Sequence, residues 1–236
     1  MKALILAAGR GERMRPLTDT TPKPLLPVHG KPMIEWHLQA LARAGVREVV
    51  INTAWLEAQF PTALGDGARW GLTIRYSTEG RDHGGALETA GGIRKALPWL
   101  APQGNEAFWV VSGDIFMPGF VFDAALAEDF AAGPDLGLLW LVPNPSFHER
   151  GDFNLVDGRL RRGAPLAWTY ANVALLKPAL VSALPLGQPA PLGPLLFEAA
   201  AADRLAGRVL DGAWHNIGTP QQLAALNATA ASPAGA

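Results

Sequence analysis

The chain has no cysteine, so disulfides, thiolate metal sites and a cysteine nucleophile are excluded. That absence suits a reducing compartment, and the expected location is the cytoplasm. Charge is sparse: 17% of residues are Asp, Glu, Lys or Arg, the net charge is −1, and no run of Lys or Arg occurs. Nothing in that balance supports a nucleic-acid or membrane-surface partner. No apolar stretch reaches a membrane-spanning length without Gly, Pro or a charge. The apolar run Ala3 to Ala8 ends in Gly-Arg-Gly-Glu-Arg, too soon for the core of a secretory signal. The five histidines are scattered, with no Ser/His/Asp or His-x-x-x-His arrangement. Two common phosphate motifs are missing as well. The dinucleotide fingerprint would need glycine where Met14 stands, and no Gly-Lys-Ser/Thr of a P-loop follows.

What is present is a globular composition, 49% hydrophobic, in 236 residues. That length suits one well-buried domain, expected over residues 1–227, with a frayed tail over 228–236. The first thirty-two residues carry six basic residues against two acidic ones, while the whole chain is slightly acidic. There the apolar run enters Gly9-x-Gly11-x-Arg13, followed by Pro16-Leu17-Thr18 and Pro22-Lys23-Pro24. Gly9 and Gly11 permit positive φ and let a phosphate approach the backbone. Arg13 offers a planar fork that matches phosphate oxygens. Each proline restricts the residue before it to extended chain, so Lys23 leaves a stiff segment in few directions. A strand, a glycine turn and fixed cations together form a polyphosphate site.

Along the chain, apolar runs alternate with helical patterns. Strands are expected at Ala3–Ala7, Glu48–Thr53, Leu72–Tyr76 and Phe108–Ser112. Helices are expected over Met33–Ala44, around Leu56, Phe60 and Leu64, and over Ala86–Leu97, stopped by Pro98. The segment from Glu79 to Ala86 reads as a loop, with His83 a surface residue. This order argues for an α/β fold with a doubly wound, mostly parallel sheet. The second half reads as a strand at Leu136–Val142, a hairpin through Asp157-Gly158, a strand at Trp168–Leu176 and a helix over Leu195–Leu205. Thr219 should cap a last helix through Leu226. There is no internal repeat.

The ordered motifs resemble the sugar-nucleotidyltransferase family. They run as Gly9-Arg10-Gly11-Glu12-Arg13-Met14-Arg15-Pro16-Leu17-Thr18, Pro22-Lys23-Pro24, Lys31-Pro32-Met33-Ile34 and Glu88-Thr89-Ala90-Gly91-Gly92. Ser112-Gly113-Asp114 and Trp214-His215-Asn216-Ile217-Gly218-Thr219-Pro220 complete the set. The resemblance spans roughly residues 1–226. It implies a Rossmann-like, glycosyltransferase-A-type nucleotidyltransferase fold with a small antiparallel sugar-binding sub-region. The reaction implied is transfer of a nucleotidyl group from a nucleoside triphosphate to a sugar 1-phosphate. The substrate partners are then those two molecules, acting on a monomer or small homo-oligomer. The Leu87-Glu88-Thr89 and Arg150-Gly151-Asp152-Phe153 segments are similar to members that take UTP and N-acetylmuramate α-1-phosphate. Mannose-1-phosphate guanylyl and glucose-1-phosphate thymidylyl transfer stay open, as does a non-catalytic nucleotide-sugar-binding protein on the same scaffold.

The resemblance also implies residue roles. Arg13 and Lys23 would be catalytic, with Leu6, Ala7, Ala8, Gly9, Gly11, Glu12, Thr89 and Ser112 joining them around the nucleotide. Asn144, Gly151 and Asn172 would hold the sugar phosphate. Asn172 sits in an otherwise apolar strand, so its amide needs either a sugar hydroxyl or neighbouring backbone as partner. Asp114 would ligate Mg²⁺ (or Mn²⁺), with Asn216 where the family has an aspartate. An amide oxygen can ligate magnesium but brings no charge, and a turn-capping role for Asn216 remains the alternative. Arg150 is the expected cation for the lactyl carboxylate.

Overall fold

A computed structural model describes residues 1–229. The expected tail lies, from residue 230 onward, outside the described residues. The first half runs β1 (Lys2–Leu6), the two short strands β2 (Pro27–Val28) and β3 (Lys31–Pro32), then α1 (Met33–Arg43) and β4 (Glu48–Thr53). It continues through α2 (Gln59–Leu64), β5 (Thr73–Thr78), α3 (Glu79–His83), α4 (Glu88–Leu100), β6 (Phe108–Ser112) and β7 (Ile115–Phe116). The second half is α5 (Ala124–Ala132), β8 (Gly137–Pro143), β9 (Asn154–Val156), β10 (Arg159–Arg161) and β11 (Trp168–Leu176). It ends with α6 (Leu192–Ala201), β12 (Leu205–Val209), β13 (His215–Asn216) and α7 (Pro220–Ala228).

Nine strands form one sheet in the order β5-β4-β1-β6-β11-β8-β12-β10-β9. The first four are mutually parallel, β11 runs against both β6 and β8, and β12 is parallel to β8. Strand side chains alternate between two cores. Ala3 and Ile5 of β1, with Trp109 and Val111 of β6, face Ile34, Leu38 and Leu41 of α1 and Phe130 of α5. Leu4, Phe108 and Val110 face Ile93 and Ala96 of α4 and Leu196 of α6. Covering both faces explains why the central strands read as continuous apolar runs. Trp109, Phe120, Phe122 and Trp140 interlock with ring centroids 4.9–6.3 Å apart, each large buried side chain contributing roughly 1.5–3 kcal/mol.

Several elements differ from the sequence reading. Helix α4 does not stop before Pro98 but carries it inside, ending at Leu100. Leu97 and Leu100 are buried, and their packing holds the last turn despite one missing N–H. Helix α6 starts three residues before the expected Leu195, because Pro194 stands in the first turn, where no donor is needed. It also stops before Leu205, which opens β12. Helix α2 starts only at Gln59, and Leu56 before it has φ 48°. The expected loop after Thr78 is a short helix, α3, whose Glu79 is buried. The short strands β7 and β13 went unread. The Asp157-Gly158 hairpin is present, with both residues at positive φ.

The site end of the sheet is fixed by strand order. From β1 the chain moves outward to β4 and β5, then returns to the other side of β1 as β6. The carboxyl ends of β1 and β6 therefore flank a topological switch point, where ligands of open α/β sheets bind. At the C-terminus, Thr219 and Gln222 form a reciprocal capping box on α7. Asn227 then clasps the β2–β3 hairpin through the Pro27 carbonyl and the His29 N–H.

Candidate active site

A 590 Å³ cavity opens at that switch point. It is lined by Leu6, Ala7, Ala8, Gly9, Gly11, Glu12, Arg13, Lys23, Thr89 and Ser112, and by Asp114. The expected nucleotide residues are thus brought together in one place. Gly11 has φ 66°, and a Cβ there would lie 3.1 Å from Thr18 and 3.2 Å from Lys23, so the turn needs glycine for both reasons. Gly9 does not use the positive φ open to it, and a side chain there would meet nothing within 4 Å.

Lys23 does not sit in extended chain either. It opens a single 3-10 turn, Lys23–Leu25, closed by the Leu26 N–H on the Lys23 carbonyl. Pro24 takes the second position of that turn, where its missing N–H costs nothing. The Lys23 side chain is 9% exposed, and its ammonium donates to Asp114 Oδ2 at 2.7 Å. Asp114, 37% exposed, stands in the turn between β6 and β7. The Gly113 N–H holds that turn to the Leu6 carbonyl at 2.8 Å. Behind it, His37 is fully buried, its Nε2 2.7 Å from the Ile115 carbonyl oxygen. Burial lowers its pKa to about 4, so the ring stays neutral and serves as a fixed strut.

A second cavity, of 500 Å³, shares Arg13, Glu88 and Thr89 with the first. Asn172 and Asn216 line it, with Phe147, His148, Asp152, Tyr170, Leu192 and Trp214. Asn172 has φ 59° at an irregularity in the β11–β8 pairing and lines the cavity beside Tyr170. Asn144 and Gly151 do not line this cavity. Asn144 donates to the Leu166 and Glu149 carbonyls and accepts from the Thr169 hydroxyl. Gly151, at φ 62°, packs so closely on Asn144 that a Cβ would sit 2.7 Å from its Oδ1. These two residues brace the cavity wall from behind. Arg150 is exposed and lines neither cavity.

Two adjoining cavities, with a buried lysine and a carboxylate at one of them, suit the joining of two phosphorylated substrates. The family model for nucleotidyl transferase matches residues 2–143. The chain is 44% identical to an N-acetylmuramate α-1-phosphate uridylyltransferase of Neisseria meningitidis serogroup B, over 98% of each chain. It is 34% identical to an enzyme of the same name from Caulobacter vibrioides, over 96% of this chain and 95% of that one. The chain belongs to the nucleotidyl transferase family. A solved Bacillus anthracis structure, assigned as a glucose-1-phosphate thymidylyltransferase with sucrose bound, shares the fold. Its TM-score is 0.82 at 21% identity, over 97% of this chain and 94% of that one. The protein is therefore an enzyme that handles sugar nucleotides.

For a nucleotidyl transferase, Asp114 and Asn216 offer donors of hard-oxygen character. Asn216 pairs across β7–β13 with Ile115, and the Ile217 N–H meets the Asp114 carbonyl at 3.3 Å, so the two residues are backbone neighbours, Asp114 lining the first cavity and Asn216 the second. Among the described residues no group of three His, Cys, Asp or Glu gathers as a metal cage. One carboxylate and one amide fit Mg²⁺, which takes few protein ligands and completes its shell with water and substrate phosphates.

Sequence reasoning missed three residues here. Asn52, buried at the end of β4, accepts from the Ala7 N–H and donates to Glu79 Oε1, both at 2.7 Å. Glu79 Oε2 accepts from the Leu87 N–H at 2.7 Å. Burial pushes the Glu79 carboxyl above the usual range, and those N–H donors oppose the push. This chain of bonds ties the glycine turn to the start of α4. Glu88 lines both cavities at φ 59°. A polar Asn at the end of an apolar strand was the one visible signal; the other two depend on tertiary placement.

Proposed function

We propose that this enzyme transfers the uridylyl group of UTP to N-acetylmuramate α-1-phosphate, a cytoplasmic step of peptidoglycan recycling. The observation that carries this reading is the reach of the 44% identity to the Neisseria enzyme. It runs over 98% of both chains and so covers the sugar cavity as well as the nucleotide cavity. An oxygen of the sugar phosphate attacks the α-phosphorus, the bond to the β-phosphate oxygen breaks, and pyrophosphate leaves with its electron pair. No covalent enzyme intermediate is needed.

Both reactants are anions, so the catalytic work is charge neutralisation and in-line placement. Arg13, at the junction, faces the β- and γ-phosphates. Lys23 serves the α-phosphate and the incoming sugar phosphate, which compete with Asp114 for its ammonium. Low solvent exposure strengthens that interaction. Asp114 and Asn216 would hold Mg²⁺ or Mn²⁺, which supplies further neutralisation of the triphosphate when bound. The active species is a monomer or small homo-oligomer, needing neither nucleic acid nor membrane; no helix among the described residues is long and apolar enough to cross one. Incubation with UTP, Mg²⁺ and N-acetylmuramate α-1-phosphate should give UDP-sugar and pyrophosphate in equal amounts. Failure to form that UDP-sugar, with product from another nucleotide and sugar, would overturn the substrate assignment and leave the reaction class standing.

A further inference from the structure

The lactyl ether of N-acetylmuramate adds a carboxylate to the sugar, and a sugar cavity that prefers it should present a cation. Arg150 cannot serve from its exposed position outside the cavity. The charged residues that do line the cavity are Arg13, Glu88, His148 and Asp152. Arg13 also lines the nucleotide cavity, and its guanidinium lies against the Gly218 backbone, within 3.5 Å of where a Cβ would stand. The proposed function assigns it to the phosphates. His148 remains.

Its surroundings are built rather than incidental. His148 Nε2 lies 3.0 Å from Asp152 Oδ1. Asp152 is itself fixed: Oδ2 accepts from the Tyr170 N–H at 2.8 Å, and its carbonyl accepts from the Arg162 guanidinium at 2.7 Å. Beside it, Phe147 stacks on Trp214 with centroids 6.4 Å apart, and both rings line the same cavity. With Nε2 turned to Asp152, the other ring nitrogen has no hydrogen-bond partner among the described residues. As an imidazolium the ring has two donors, one N–H for Asp152 and the other for a ligand carboxylate.

We propose that His148, held by Asp152, is the specificity-determining residue that reads the carboxylate of an acidic sugar 1-phosphate. The inference rests on the substrate reading given above and names the group responsible for it. The ring is 40% exposed on its side chain, so the discrimination it confers is moderate, ~10–100-fold.

The test compares kcat/KM for N-acetylmuramate α-1-phosphate with that for N-acetylglucosamine 1-phosphate, using UTP. The proteins are wild type, His148→Gln, His148→Arg and Arg150→Ala. His148→Gln should cut the wild-type preference about 10–100-fold, mainly through KM for the acidic sugar. His148→Arg, which places a guanidinium there, should retain a larger part of the preference than the glutamine variant. Arg150→Ala should keep all of it. An unchanged preference in His148→Gln overturns the inference. So does an equal loss for both sugars, which would mark a structural role. Loss of preference in Arg150→Ala alone would return the role to the arginine. If wild type itself does not favour the acidic sugar, the substrate reading fails, and this inference with it.

Discussion

The cavities proposed for the nucleotide and for the sugar share Arg13, Glu88 and Thr89, yet they are assembled differently. Most of the nucleotide wall comes from Leu6 to Pro24, one stretch of chain around a glycine turn, joined by the ends of β4 and β6. The sugar wall gathers from Phe147–Phe153, Thr169–Asn172, Pro191–Phe197 and Trp214–Asn216, on the mixed side of the sheet. The first is a local motif with a buried lysine bonded to a part-exposed carboxylate at its centre. The second is a composite of loops, aromatic rings and a surface His–Asp couple. Under the proposed function, the chemistry belongs to the first and substrate choice to the second. Variants in the nucleotide half should therefore change turnover, and those in the sugar half should change stability or sugar preference.

The largest effect should come from Asp114→Ala, which should abolish pyrophosphate release, as should excess chelator with the intact enzyme. Asn216→Asp should keep activity and lower the Mg²⁺ concentration needed for half-maximal rate, because a second carboxylate adds charge to an under-neutralised site. Full activity in chelator would remove the metal role from both residues.

Lys23→Ala comes next. It should lower kcat by at least ~10²-fold, the scale for losing one preorganised charge stabiliser. Unfolding free energy should move by only about 1 kcal/mol, since the Asp114 left behind is part-exposed. Near-normal turnover in a folded Lys23→Ala protein would break the division between the two halves.

Asn144→Ala sharpens the comparison from the other side. It removes three hydrogen bonds that brace the sugar wall and should cost roughly 1–3 kcal/mol of stability. With saturating sugar phosphate, kcat should change little. A large fall in kcat with unchanged thermal stability would place Asn144 in the chemistry after all.

The smallest effect concerns pH. His37 is fully buried, with its pKa lowered to about 4 from an ordinary 6.5. The unfolded chain takes up a proton at His37 below the ordinary value, while the folded protein does not until the lowered one. Stability should thus fall as pH drops between 6.5 and 4, by ~1 kcal/mol at pH 5.5. His37→Gln should flatten that part of the stability profile, measured by denaturant unfolding across the pH range; an unaltered slope would show that another group controls it.

These differences also explain what the sequence could show. Glu48–Thr53 and Phe108–Ser112 were read at their observed bounds, because strands covered on both faces leave unbroken apolar runs. The lining of the first cavity was legible because Gly11, Arg13 and Lys23 stand in or beside a local turn whose spacing carries the geometry. Strand β12 was hidden because its Gly207 serves close packing on Leu160 and Leu155 rather than a strand propensity. Asn144 and Gly151 were placed in the right loop but on the wrong side of its wall, since sequence gives no direction for a loop side chain. His148 drew no attention, because its partner Asp152 matters only once the turn brings the two within 3.0 Å.

The account stands or falls most directly on a matrix of pyrophosphate release. UTP, dTTP, GTP and ATP would each be paired with the 1-phosphates of N-acetylmuramate, N-acetylglucosamine, glucose and mannose. The highest kcat/KM is predicted for UTP with N-acetylmuramate α-1-phosphate, about 10–100-fold above UTP with N-acetylglucosamine 1-phosphate. A maximum at GTP with mannose 1-phosphate, or at dTTP with glucose 1-phosphate, would contradict the substrate assignment. No release from any pair would contradict catalysis itself.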